Sequence, residues 1–323
     1  MFPSPQENPP LSPFREDKSP LLANTNRKPP KEDCSMQGLD VILWVQEHGN
    51  SALTAFFRAV TNLGSVEFYM LAIPLIYWLV DKHFGLRFSV FFIFSAYLNS
   101  GLKHIFRTER PPRELRLVTQ EGYSFPSGHA QGSTAFWGFL ALKLKTPLAY
   151  VGAAVLIFLI SFSRIYLAVH WPIDVLGGVA IGLLLLVAYS PLAQIDLLKI
   201  RLRTWIVGSI IAAAILYLLH PAGDGPLTVG FLLGALIGYR LELLYIQFKE
   251  EAAPLQNLIK AVLGLAVLFL LKEALKPVVG WLPEGFSVVV RYCLLGLWAT
   301  LGAPFVFTKL GLYKKGHRTV VPH

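Results

Sequence analysis

The chain carries seven long runs of apolar residues, at 71–80, 88–98, 151–162, 175–189, 206–219, 226–239 and 261–271. Extended by their flanks, such runs approach the ~20 residues that cross a hydrocarbon core, and they read as membrane helices. The composition agrees. Of 323 residues 54% are apolar and 15% charged, against about 25% charged in a soluble domain. That excludes an ordinary soluble globule, a disordered chain, a collagen and a disulfide-rich secreted domain. Cys34 sits in a polar stretch and Cys293 in an apolar one, so no disulfide framework is expected. The net charge of +9 suits basic residues that flank and orient membrane helices better than it suits a nucleic-acid partner.

Residues 1–36 hold eight of the 22 prolines, five Lys/Arg and five Asp/Glu, with no apolar run. They are expected to form a disordered Pro-rich tail without a secretory signal. Over 37–64, apolar Val41, Leu43, Trp44, Phe56 and Phe57 mix with Asp40, Glu47 and Arg58 around a break at Gly49-Asn50. Two short amphipathic interfacial helices are expected there, the alternative being a first, poorly apolar span. The rest reads as an all-α polytopic membrane helix bundle of about nine transmembrane helices. They are placed at 65–80, 86–106, 127–143, 147–165, 170–190, 204–220, 226–246, 256–275 and 285–308. Pro and Gly mark most connections, as at Pro147, Pro172, Pro191, Pro221, Gly225 and Pro277. The longest connection, 107–126, carries Arg107, Arg110, Arg113 and Arg116; the last two are expected to be solvated or to touch headgroups.

With these spans, four helix ends carrying unusual polar residues fall on one membrane side. Charged groups inside spans are costly, so these are functional candidates. Lys103, Arg110 and Arg164 supply three cations that repel one another unless an anion sits among them. Arg is a fork suited to phosphate oxygens and Lys a point charge. Ser127-Gly128 opens a helix after Pro126, where free N–H groups and the helix dipole favour an anion. The implied ligand is a phosphoryl group. His170 and Asp174 are four apart on an expected helix, hence on one face. A carboxylate there fixes the imidazole tautomer and leaves the other nitrogen as a nucleophile or base. His129 is placed to protonate a leaving oxygen. Between 103 and 174 the only carboxylates are Glu109, Glu114, Glu121 and Asp174, too few and scattered for a two-metal site, so no metal or other cofactor is expected. Singly, Lys103 or Arg107 fits a snorkelling anchor and His170 a helix-end histidine. The joint arrangement in three ordered segments points to chemistry.

Those segments are Lys103…Arg110-Pro111, Pro126-Ser127-Gly128-His129 and Ser163-Arg164…His170…Asp174. They resemble, at every position, the signature of the type 2 phosphatidic acid phosphatase superfamily: K-x6-R-P, P-S-G-H and S-R-x5-H-x3-D. The resemblance covers about 65–190 and implies a six-helix-type phosphatase core there, with additional transmembrane helices over 191–323. It implies that Lys103, Arg110, Ser127, Gly128 and Arg164 hold the phosphoryl group. It further implies that His170 attacks phosphorus, Asp174 supports it, His129 is the general acid, and water hydrolyses a phosphohistidine. The four extra spans are similar in layout to nine-span glucose-6-phosphatases, and the Tyr123-Ser124-Phe125 lead-in to bacterial lipid phosphatases.

The expected function is therefore integral-membrane, metal-independent hydrolysis of a lipid phosphate or prenyl diphosphate, with membrane lipids as partners. A soluble sugar phosphate is the alternative substrate, and an inert lipid-binding scaffold the alternative class. Lys/Arg on short loops concentrate opposite the site, at Lys82, Arg87, Lys143, Lys145, Lys199, Arg201, Arg203, Lys249, Lys309, Lys314, Lys315 and Arg318. That bias places the site on the non-cytoplasmic side, in a plasma, inner or endoplasmic reticulum membrane.

Overall fold

The computed structural model describes residues 38–192 and 200–313. The tail expected over 1–36, Cys34 and Lys199 lie outside the described residues. Among those described, the chain is helical and contains no strand. Two short helices come first, α1 (Leu39–Glu47) and α2 (Ser51–Thr61). Then follow α3 (Val66–Leu79), α4 (Lys82–Phe106), α5 (Gly128–Leu144), α6 (Pro147–Tyr166) and α7 (Pro172–Leu192). The C-terminal part holds α8 (Leu202–Leu219), α9 (Gly225–Leu241), α10 (Pro254–Val279), α11 (Glu284–Leu297) and α12 (Ala303–Lys309).

Local chemistry sets these boundaries. The side chains of Asn50, Ser65, Asp81 and Thr146 each accept a hydrogen bond from the first turn of the helix they precede, satisfying N–H groups that have no intrahelical partner. Pro147 and Pro254 open their helices, where the missing N–H costs nothing. Arg107 and Lys145 leave α4 and α5 in the left-handed conformation.

Five helical stretches are long and apolar enough to cross a membrane: Pro147–Tyr166, Pro172–Tyr189, Leu202–Leu219, Gly225–Ile246 and Glu284–Lys309. A sixth candidate is the pair Ser51–Gly64 and Val66–Leu79, bent by 47°. The other helices fall near the expected spans without qualifying this way. For two of them the reason is physical: α5 has 17 residues, and α4 buries the polar Ser89, Ser95, Asn99 and Ser100. Leu148, Val151 and Phe158 on α6, and Leu183, Leu184 and Val187 on α7, are exposed, as befits surfaces facing hydrocarbon.

Phe88, Phe91, Phe136 and Phe139 pack with Tyr69, Ile73 and Leu186 to join α3, α4, α5 and α7. Trp78 and Tyr77 anchor the C-terminal helices, donating to the carbonyls of Ala299 at 2.7 Å and Thr300 at 3.2 Å. A buried ion pair, Lys82 to Glu242 at 3.0 Å, ties the start of α4 to the turn after α9. Gly230 and Gly234 on α9 bring that helix onto α11: a Cβ there would meet the carbonyl oxygens of Val289 and Cys293 at 2.3 and 2.0 Å. Small residues at this spacing let helix backbones touch.

The short helices α1 and α2 do more than flank the bundle. Val45 and Phe57 bury Tyr166, Leu167 and Val169, and Ile42 packs on Ala168 and Trp171. Gln46 donates to the carbonyls of Leu115 and Tyr166. Together they clamp the turn between α6 and α7.

Candidate active site

The three sequence segments converge. Arg110 leaves the long loop and spreads its guanidinium over carbonyl oxygens: Nε donates to Gly122 at 2.9 Å, Nη1 to Val169 at 2.8 Å and Nη2 to Tyr123 at 3.0 Å. Nη1 also lies 3.0 Å from His170 Nε2. A guanidinium only donates, so Nε2 is the acceptor, and in the neutral ring the proton sits on Nδ1. That nitrogen lies 3.3 Å from Ser124 Oγ and 3.4 Å from Asp174 Oδ2. The same carboxylate oxygen takes the Ser124 hydroxyl and, at 2.8 Å, the N–H of Trp171. The imidazole is thus held at both nitrogens and is 2% exposed.

His170 lies in the turn before α7, and Asp174 in that helix's first turn. The pair therefore meets across a helix start and not along a helix face. Burial, then the nearby Arg110, Lys103 and Arg164, hold the His170 pKa well below the ordinary 6.5. Burial lowers Arg110 to about 10, with Arg116 adding to the effect, so at neutral pH it remains a cation.

Lys103 donates to the Tyr123 carbonyl at 3.0 Å. Arg164 is buried behind the site, where Nη1 donates to Thr61 Oγ1 at 2.7 Å and Nη2 to Gln120 Oε1 at 2.9 Å; its Nε has no partner among the described residues. Ser127 caps α5, accepting from the N–H of Ala130 at 3.4 Å, and its own N–H donates to the Asp174 carbonyl at 2.9 Å. Gly178 permits that approach, since a Cβ there would lie 2.6 Å from the Ser127 carbonyl oxygen. Asn99 and Gln131 fix the start of α5 to α4: Asn99 donates to the Pro126 carbonyl and to Gln131, which donates to Ser95.

Lys103, Arg110, Gly128, His129 and His170 line one cavity of about 310 Å³. Ser127, Arg164 and Asp174 stand behind its wall. The cavity continues between apolar side chains of α3, α4 and the C-terminal helices. Among the described residues, no group of three or more His, Cys, Asp or Glu is placed to hold a metal ion. Such an arrangement can hold a phosphoryl group on cations and present a neutral imidazole nitrogen to it.

Thr61, Gln120, Ser124, Asn99 and Gln131 escaped the sequence reading. Ser124 stood in the lead-in segment but carried no assigned role. Thr61 comes from a segment assigned to the interface, and nothing in its neighbours marks it. Arg116 differs from expectation: it donates to the carbonyls of Pro111 and Gln120 and shapes the loop from within. Arg113 pairs at the exposed surface with Glu121.

Comparison with known proteins shows the family. The PAP2 superfamily profile matches residues 84–195, and the profile of the PAP2 superfamily phosphatase transmembrane extension matches 226–315. Phosphatidylglycerophosphatase B of Bacillus subtilis is 31% identical over 146 residues, covering 41% of this chain and 71% of that protein. The chain belongs to the PAP2 superfamily. Lipid phosphate phosphatase delta of Arabidopsis thaliana is 29% identical, over 46% of this chain and 40% of its own. Human sphingosine-1-phosphate phosphatase 2 is 30% identical, over 42% and 36%. The chain thus matches well under half the length of these two relatives.

If the three cations hold a phosphoryl group, Arg164→Lys, which lacks the fork, should raise the vanadate concentration for half-inhibition about 10- to 100-fold. Thr61→Val should raise it less. Unchanged vanadate sensitivity in folded Arg164→Lys would remove Arg164 from the anion site.

Proposed function

We propose that this PAP2 protein is an integral-membrane lipid phosphate phosphatase that works without a metal, through a phosphohistidine on His170. One observation carries the reading. The buried His170 ring is held at Nδ1 by Ser124 and Asp174, while Nε2, its lone pair met by Arg110, borders a cavity whose walls turn from cationic to apolar. Such a cavity suits a ligand with an anionic head and a hydrocarbon body. The lipid phosphatases among its relatives support the same substrate class.

In this mechanism Arg110 turns its donors from His170 to a phosphate oxygen, and Lys103, Arg164 and the N–H of Gly128, at the start of α5, take the others. Neutral Nε2 attacks phosphorus as the bond to the lipid oxygen breaks. His129 gives its proton to that oxygen, releasing the lipid alcohol. Asp174 and Ser124 hold the Nδ1 proton as the ring becomes cationic. Water then attacks phosphorus, His129 takes its proton, the P–N bond breaks, and inorganic phosphate leaves.

The proposal places the site on the non-cytoplasmic side. Lys82, Arg87, Lys143, Lys145, Arg201, Arg203, Lys249 and Lys309 gather at the opposite helix ends, the pattern of cytoplasmic loops.

The test is phosphate release by the purified protein in EDTA, from sphingosine 1-phosphate, phosphatidate, a prenyl diphosphate and glucose 6-phosphate. Lipid substrates should be hydrolysed. His170→Ala should abolish turnover, and Asp174→Asn should reduce it by ~10²–10⁴. Because His170 must be neutral to attack, kcat/KM should fall as pH drops through its pKa, giving an acid limb below the ordinary 6.5. Loss in EDTA restored by Mg²⁺, release from glucose 6-phosphate alone, or an acid limb above that value would each contradict the proposal.

Orientation is tested separately by a cysteine at Arg113 or Lys145, in a Cys34→Ser, Cys293→Ser background. An impermeant thiol reagent should label the Arg113→Cys protein in intact cells or lumen-out vesicles. Labelling of the Lys145→Cys protein alone would reverse the orientation.

A further inference from the structure

We propose that the helices after residue 200 form the substrate-reading half of the cavity: they receive one aliphatic chain, and Asp224 pairs with an ammonium group next to the phosphate. The substrate class is then a single-chain amino-lipid monophosphate. This deepens the lipid phosphatase reading and rests on it.

The cavity that begins at Lys103, Arg110 and His170 ends between Tyr69 and Ile73 of α3 and Leu227, Phe231, Leu268 and Tyr292 of the C-terminal helices. Leu268 and Tyr292 belong to one packed cluster, and Leu227 and Phe231 pack against it. The close seating of α9 on α11 through Gly230 and Gly234 sets that wall. Ligand pockets span about 300–1,000 Å³, and this one, at about 310 Å³, is near the lower bound. The size fits a headgroup with one chain better than with two.

Asp224 lines the same cavity from the turn before α9, and it acts electrostatically on Lys103. Among the described residues its carboxylate has no hydrogen bond or ion pair. Its place is nonetheless fixed. Its backbone N–H donates to Ser100 Oγ at 3.1 Å, and that hydroxyl bonds His220 Nε2 at 2.9 Å. Gly223, at φ +56°, lies so close to α4 that a Cβ would meet His104 Cε1 at 2.5 Å. The Asp224 backbone is thus pinned beside Ser100, about one turn from Lys103 along α4. A carboxylate on the rim of a phosphate site repels a plain phosphomonoester. It favours a ligand whose own cation lies near its phosphate, the repulsive element that selectivity requires.

The experiment compares kcat/KM for sphingosine 1-phosphate (one chain, amine), lysophosphatidate (one chain, no amine), phosphatidate (two chains) and p-nitrophenyl phosphate (no chain). It uses the full chain and its Asp224→Asn and Leu227→Trp variants. The wild type should prefer the single-chain amine. Asp224→Asn should lower the ratio of sphingosine 1-phosphate to lysophosphatidate roughly fivefold, the scale of an exposed ion pair. Leu227→Trp, which fills the slot, should lower the ratio of lysophosphatidate to p-nitrophenyl phosphate about tenfold. Ratios within one variant cancel any loss of folded protein. Ratios unchanged in both variants, or a wild-type preference for phosphatidate, would overturn the inference. A wild type that hydrolyses p-nitrophenyl phosphate but no lipid overturns the lipid reading beneath it.

Discussion

Lys103, Arg110 and Arg164 repel one another, and the rest of the site is built around holding them together. The acceptors that hold them are neutral: the carbonyls of Gly122, Tyr123 and Val169, the Gln120 amide and the Thr61 hydroxyl. A carboxylate in those places would fix the cations equally well but cancel their charge. Neutral acceptors orient the donors and leave the positive field intact for an anion. The long 107–126 loop has its purpose here. Arg116 and the Ser124 N–H to Thr108 carbonyl bond fold it back so that its own carbonyls face Arg110.

The one carboxylate at the centre is used differently. Asp174 touches none of the cations. One of its oxygens serves Ser124, Trp171 and the His170 Nδ1 side, so it fixes the imidazole tautomer from one side while Arg110 fixes it from the other. Burial, and then the same field that suits a phosphate, hold the His170 pKa well below its ordinary value. In the proposed mechanism the same surroundings would prepare both the anion site and the attacking nitrogen. The N-terminal helices contribute by clamping 166–171, the turn that presents His170.

Much of this was legible in the sequence. Apolar run length and Pro/Gly punctuation gave helices close to those observed, because caps and hydrocarbon burial are local effects. Seven of the eight motif residues lie at or beside helix ends, and Arg110 joins them from the loop after α4. The supporting acceptors were not legible, since a backbone carbonyl belongs to every residue and leaves no mark. Thr61 and Gln120 reach Arg164 only through tertiary packing. The His170–Asp174 spacing suggested a helix face, but Pro172 starts the helix between them. The cavity walls also include Asp224, Phe231 and Tyr292, which lie beyond 65–190.

The central claim is that phosphorus passes through His170 Nε2. Its most direct test is rapid acid-free quenching of the protein during turnover of a ³²P-labelled lipid phosphate, followed by peptide mapping. The account predicts an acid-labile, base-stable label on the peptide containing His170, absent from His170→Ala. Stable label on Ser127, or near-normal turnover by His170→Ala, would contradict it.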